Sequence, residues 1–364
     1  MGKLRKPGLA NSRLSRATFS VDPSMYDEMH APVFDDLNAR LESIVRKDLR
    51  YHYSGPICAC RWISLCNDPS YGHQRLVTLI EDALPELLLA LRTDAGNSGA
   101  VDLVSLGPGS GSIDLRILHG IQAGLRLGYY YCLDSSFELL CYAVRHILRD
   151  KKLQKLKIRA ICGDFVKVRS LCPRERSDGH IRLLALTGFT LGNFTEDELL
   201  KQVSQLMSEQ DYLLLDAHLH DLVRWNGRRK LSAAEESTLL AHYQPDSVKR
   251  FVFGPVETVT LAKASDVPIG YRAVAKPTAV PRAVEIVIFC RSLDTTMRLT
   301  GRRIRRQRLD LACTTLYGFS DLCAWLESRE FKIVWCRSAG PVGFFLLRLR
   351  SPLSDSRLTS EAVR

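Results

Sequence analysis

VDLVSLGPGSGS (101–112) is the stretch on which the fold turns. Its first six residues form a short apolar run of the kind a strand buried on both faces requires. They lead into Gly107-Pro108-Gly109-Ser110-Gly111, and SIDLRILHGIQAG (112–124) follows with apolar residues at helical spacing. Glycines let the chain turn sharply and approach a ligand closely. The helix start behind them offers backbone N–H groups to polar ligand atoms. Taken alone, such a strand–turn–helix is a weak signal, because a glycine turn can be only a turn.

Working outward, the same alternation recurs. LGYYYCL (127–133), LKIRAIC (156–162), RLLALT (182–187) and DYLLLDAH (211–218) are further strand candidates, and helical stretches separate most of them. SFELLCYAVRHILRDKK has a clear apolar face, and Thr195-Glu196-Asp197-Glu198 has the spacing of a capping box. Strands alternating with helices predict a doubly wound α/β domain whose ligand crevice lies beyond the carboxyl ends of the strands. The end of the chain predicts a helix around FSDLCAWLES, then strands FKIVWCR and GFFLLRLR separated by a Pro-Gly loop.

Ligand-type residues fall at those strand ends. Asp134 closes the second strand, where a carboxylate can accept both hydroxyls of a ribose. Gly163-Asp164-Phe165 closes the third, an acid beside a ring that suits an adenine. Singly, either aspartate is more often a turn or helix cap. The fourth strand runs into Gly188-Phe189-Thr190-Leu191-Gly192-Asn193-Phe194.

LGPGSGS, YYYCLDSS, CGDF and GFTLGNF, in that order, resemble the ergothioneine-pathway histidine N-alpha-methyltransferase family. Upstream, RYHYSG and NDPSY are similar to that family's Tyr-x-Tyr and Pro-x-Tyr segments. The likeness spans about residues 50–350 and is strongest over 101–216. It implies a class I methyltransferase, Rossmann-like, with a mostly parallel sheet, a terminal antiparallel hairpin and an added lobe. It implies S-adenosylmethionine (SAM) as cofactor, contacted by Tyr53, Gly107, Gly109, Gly111, Asp134, Asp164 and Phe165. It places Tyr71 and Asn193 at the amino-acid end of the acceptor as the catalytic pair, with His218 and Thr314 as further acceptor contacts. Four residues depart from the family. Ile113 stands where the family has a Lys, His218 near its aspartate, and Ala312 and Thr314 where a Glu-x-Ser recognises imidazole. The expected reaction is therefore N-methylation of an amino acid or a small amine derived from one, other than histidine, with specialised-metabolite biosynthesis as a setting. Two rivals stand beside it: a nicotinamide-dependent oxidoreductase, which shares the glycine turn and strand-end Asp, and a catalytically degenerate methyltransferase fold that only binds.

Composition bounds the rest. The 364 residues are 46% hydrophobic, enough for a large core, and no apolar run reaches the length of a membrane span. The net charge of +11 gathers in the N-terminal tail and in RLTGRRIRRQR (298–308). That run lacks interleaved aromatics, so a solvated surface is preferred to nucleic-acid binding. Eleven scattered cysteines at this length fit reduced thiols in a cytoplasmic protein. His218 and His220, with Asp216 and Asp221 beside them, make a weak metal signal, and no metal is expected. These readings divide the chain into a basic flexible tail (1–20), an N-terminal helical part of a substrate lobe (21–95) in which Pro85 interrupts a helix, a cofactor-binding core (96–220), an inserted substrate-lobe segment (221–310), a C-terminal helix and strands completing the core (311–350) and a disordered tail (351–364). The oligomeric state is left open.

Overall fold

The computed structural model describes residues 17–22, 52–95, 99–164, 180–222, 225, 230–276 and 279–350. Residues 23–51 of the expected N-terminal helical part, the first sixteen residues of the basic tail, Phe165 and the C-terminal tail lie outside the described residues. The strands are β1 (Ala17–Val21), β2 (Ala100–Leu106), β3 (Arg126–Asp134), β4 (Lys157–Cys162), β5 (His180–Leu186), β6 (Tyr212–His220), β7 (Ile269–Ala275), β8 (Val284–Cys290), β9 (Leu293–Thr296), β10 (Arg303–Arg306), β11 (Leu309–Gly318), β12 (Phe331–Ala339) and β13 (Val342–Leu349). The helices are α1 (Gly55–Cys66), α2 (His73–Ala95), α3 (Ser112–Gly124), α4 (Phe137–Arg149), α5 (Glu196–Ser204), α6 (Ala233–Leu240), α7 (Asp246–Val252), α8 (Gly254–Val259) and α9 (Phe319–Glu327).

One sheet of 11 strands carries the molecule. Its parallel part runs β1-β4-β3-β2-β5-β6, with β2 in the middle and all seven of its residues buried. β13 adds antiparallel to β6, and β12 closes the hairpin on β13. This is the doubly wound class I arrangement with the terminal hairpin. Its strands face two cores in alternation. Leu103, Leu183, Leu214 and Phe344 pack with α2, α3 and α4, while Val104, Leu184, Leu215 and Phe345 pack with α5 and α9. Period-two alternation with apolar residues at both phases is what burial on both faces demands.

The added lobe is built from α1, α6–α8 and the antiparallel strands β7, β8 and β11. Its core joins Trp62, Leu65, Phe251, Ile286, Ile288 and Leu311. β11 pairs with β8 along most of its length and with β6 only at Tyr317 and Gly318. It therefore ties the lobe to the carboxyl end of β6 rather than simply completing the central sheet, although the sequence groups it with the C-terminal core.

Three local readings need correction. Residues 17–20, read as tail, enter β1 and pair parallel with β4. Pro85 does not interrupt α2, which continues through it to Ala95. An interior proline removes one backbone hydrogen bond. Buried Leu76, Ile80, Leu87 and Leu91 on both sides of it hold the helix to the sheet. Thr195 starts α5, yet its side chain makes no capping bond. The capping box forms instead at Ser232 and Glu235, ahead of α6.

Candidate functional site

The glycine turn folds as its composition requires. Gly107, Gly109 and Gly111 have φ of 79°, 53° and 72°, a region open to glycine and costly for most other residues. The Gly107 N–H donates to Leu133 O at 2.8 Å, which fastens the end of β2 to the end of β3. Asp134 then lies beside the turn. Its Oδ1 accepts the Ser136 N–H at 2.9 Å, and its Oδ2 lies 3.4 Å from the Gly109 nitrogen. Burial pushes its pKa up to about 6 against the pull of those two backbone donors. A buried carboxylate whose second oxygen has only a long contact is suited to hydroxyl donors.

The segment after β5 is shaped from two sides. Asp216 of β6 accepts the backbone N–H groups of Gly188 and Phe189, each at 2.8 Å, and Phe189 takes a left-handed φ of 65°. Gly192 then passes β11 so closely that a Cβ there would stand 2.7 Å from Thr315 O and 3.0 Å from Thr314 Oγ1. A short 3-10 turn, Thr190–Asn193, ends the passage and presents Asn193.

These elements enclose two adjoining cavities. The first is lined by Gly107, Gly109, Asp134, Asp164 and Tyr53, with Ile113 behind the turn. The second is lined by Tyr71, His218, Thr314, Ala312, Tyr243 and Phe251. Tyr53, Trp62, Gly188 and Asn193 line both. The positions nominated from sequence as cofactor contacts thus border one cavity, Gly111 supports its turn, and those nominated as acceptor contacts border the other. Phe165 lies outside the described residues.

The second cavity is walled by rings. Trp62 packs edge-on to Tyr53 at 5.2 Å between centroids and lies 5.2 Å from Phe251, and Tyr71 meets Phe189 edge-on at 6.4 Å. His218 lies over Phe189 at 3.5 Å, and its Nδ1 is 3.0 Å from the Tyr243 hydroxyl. Burial, with His242 nearby, lowers the His218 pKa to about 3, so the ring is neutral. Burial raises the Tyr71 and Tyr53 hydroxyls well above their ordinary value, keeping both protonated. His220, two residues along, borders a separate cavity and has its Nε2 2.9 Å from Arg282 O. Among the described residues no group of three or more His, Cys, Asp or Glu could hold a metal. Sequence reasoning missed Trp62, Tyr243, Phe251 and His73 in these walls. They sit in helices and loops with no motif, and only packing brings them in.

The arrangement is that of a methyl-transferring α/β protein. Residues 62–234 match a family model described as histidine-specific methyltransferase, SAM-dependent. That match removes the nicotinamide-dependent reading. The fold is similar to a SAM-dependent methyltransferase from Clostridium acetobutylicum, at 14% identity over 74% of this chain and 91% of that one, with a TM-score of 0.38. It is also similar to magnesium protoporphyrin IX methyltransferase from Synechocystis with bound S-adenosylhomocysteine (SAH), at 14% identity over 83% and 98%, with a TM-score of 0.40. No curated protein matches the sequence. Among the described residues no helix is long and apolar enough to cross a membrane.

Proposed function

We propose that this methyltransferase acts on a nitrogen of an amino acid or of a small amine derived from one, and that histidine is a poor acceptor. The observation that carries the reading is the junction of the two cavities at Asn193, with Ala312 and Thr314 in the wall of the second and no carboxylate among that cavity's described lining residues. In this reading Gly107, Gly109, Gly111, Asp134, Asp164 and Tyr53 form the cofactor cleft. Bound SAM supplies an electrophilic methyl on its sulfonium.

The chain's own part is alignment and exclusion of water. Asn193 carries both an acceptor and a donor, so its amide can take an amine N–H and give one to a carboxylate. The Tyr71 hydroxyl orients the same nitrogen so that its lone pair faces the cofactor. Thr314 and neutral His218 meet the body of the acceptor. Imidazole would need an acceptor for its ring N–H, and Ala312 offers none. A small molecule is favoured over nucleic acid because the acceptor cavity is walled mostly by apolar and aromatic side chains with no Lys or Arg among its described lining residues, and three arginines of the 298–308 run are held in surface ion pairs. Arg303 and Arg305 pair with Asp294, and Arg308 pairs with Asp310. We place the enzyme in the cytoplasm on its scattered cysteine content.

The test is release of SAH from SAM across a panel of L-amino acids and small amines. Turnover with one of them at a kcat/KM well above that for L-histidine is the expected result. A kcat/KM for histidine above every other member overturns it.

A further inference from the structure

Two buried ring nitrogens border the cofactor cleft without a hydrogen-bond partner among the described residues. They are Nε1 of Trp62, on α1, and Nδ1 of His73, the first residue of α2. Trp62 is 6% exposed and His73 4%. A buried polar atom left unpaired is costly, so two of them lining one cleft ask for a ligand partner. The rings stand nearly perpendicular, 6.4 Å apart between centroids. Trp62 Nε1 abuts the glycine turn itself, 2.8 Å from where a Cβ on Gly109 would lie.

The charge around them sharpens the point. Asp134 and Asp164 line the cleft, while none of the described lining residues is Lys or Arg. Ile113, just behind the turn, presents only carbon. Indole N–H can only donate. Burial lowers the His73 pKa to about 4, so this ring is neutral and keeps one N–H. An anionic ligand group entering such a cleft must find neutral donors.

We propose that Trp62 Nε1–H and His73 Nδ1–H donate to the carboxylate at the methionine end of SAM and fix that end against Gly109. The assignment rests on the cofactor reading of this cleft. It makes Trp62 a positioning residue with two faces: its N–H grips the cofactor, and its ring walls the acceptor chamber.

The test compares two ligands on the full chain by calorimetry. SAH has the amino-acid end. 5′-Methylthioadenosine keeps the adenosine and the thioether but lacks that end. Trp62→Phe and His73→Leu should each weaken SAH about 10- to 100-fold and leave 5′-methylthioadenosine within about twofold, and His73→Gln, which keeps a donor, should recover part of the loss. Parallel losses for both ligands mean that the rings only pack, and overturn the proposal, as does unchanged SAH affinity in both variants. An unsubstituted protein that binds neither ligand overturns the cofactor reading itself.

Discussion

The Asp216 carboxylate on β6 accepts the backbone N–H of Phe189 at 2.8 Å, with the N–H of Gly188 held at the same distance by its other oxygen. One side chain thus sets the path of the segment that carries Asn193. Asp216→Asn keeps the shape but turns one acceptor into a donor facing an N–H. The variant should lose about 1–3 kcal/mol of stability, seen as a lower thermal midpoint. Turnover and SAH affinity should both fall, because the displaced segment borders both cavities. Unchanged SAH affinity and turnover in a folded variant contradict this.

Asp134→Ala should weaken SAM and SAH by about 30- to 150-fold, the loss of roughly 2–3 kcal/mol of charge-assisted bonding. The same residue sets a pH dependence. Its pKa stands near 6 in the fold, raised by burial. The ionised form accepts at both oxygens, and protonation turns one of them into a donor. SAH affinity should therefore fall as pH drops through that value and level off above it, and Asp134→Asn should abolish the trend. Calorimetry across pH checks both.

Asn193→Ala should leave SAH affinity within a few-fold while kcat/KM drops by about 100-fold or more, a loss near 2.7 kcal/mol at the transition state. Turnover close to the unsubstituted enzyme with the best acceptor would show that Asn193 plays no part in aligning it.

Much of this site was open to reading before any coordinates. The glycine turn, Asp134, Asp164 and Asn193 lie at strand ends, and parallel α/β topology brings strand ends together whatever the intervening helices contain. Boundaries such as Ser112–Gly124 follow from short-range apolar spacing, which is a local property. Trp62, Tyr243 and His73 had no such signal. Their role depends on how the lobe packs onto the sheet, and a lone ring in a helix is compatible with any core. Pro85 misled for the same reason: tertiary burial outweighs a missing backbone bond, and the sequence shows only the missing bond. Thr195 fits a capping pattern whose bond is not made, whereas Ser232, part of a polar stretch without emphasis, makes one.

Gly192→Ala should cost about 1–3 kcal/mol through overpacking, since the added methyl would meet backbone Thr315 O at 2.7 Å. Guanidinium melts of the purified variant measure it. A neutral result would mean that β11 shifts freely, and would weaken the argument that β11 fixes the acceptor wall.

Ala312→Glu should raise kcat/KM for L-histidine by supplying a carboxylate acceptor to the chamber wall, and Ala312→Gln, whose amide oxygen accepts without a charge, should give a smaller gain. No gain with Glu, in a protein that still binds SAH, would place the specificity wall elsewhere.

The two cavities share Tyr53, Trp62, Gly188 and Asn193. Each occupant therefore completes the other's enclosure, and binding free energies across a common wall are reciprocal: whatever factor the acceptor adds to SAH affinity, SAH adds to acceptor affinity. A single molecule joining an adenosine to an acceptor-like amine through a short tether could occupy both cavities at once. Its second half would bind at the high effective concentration that a tether of matching length confers. Bisubstrate compounds of this kind should outbind either fragment by a wide margin, and the tether length that binds best would measure the passage between the cavities.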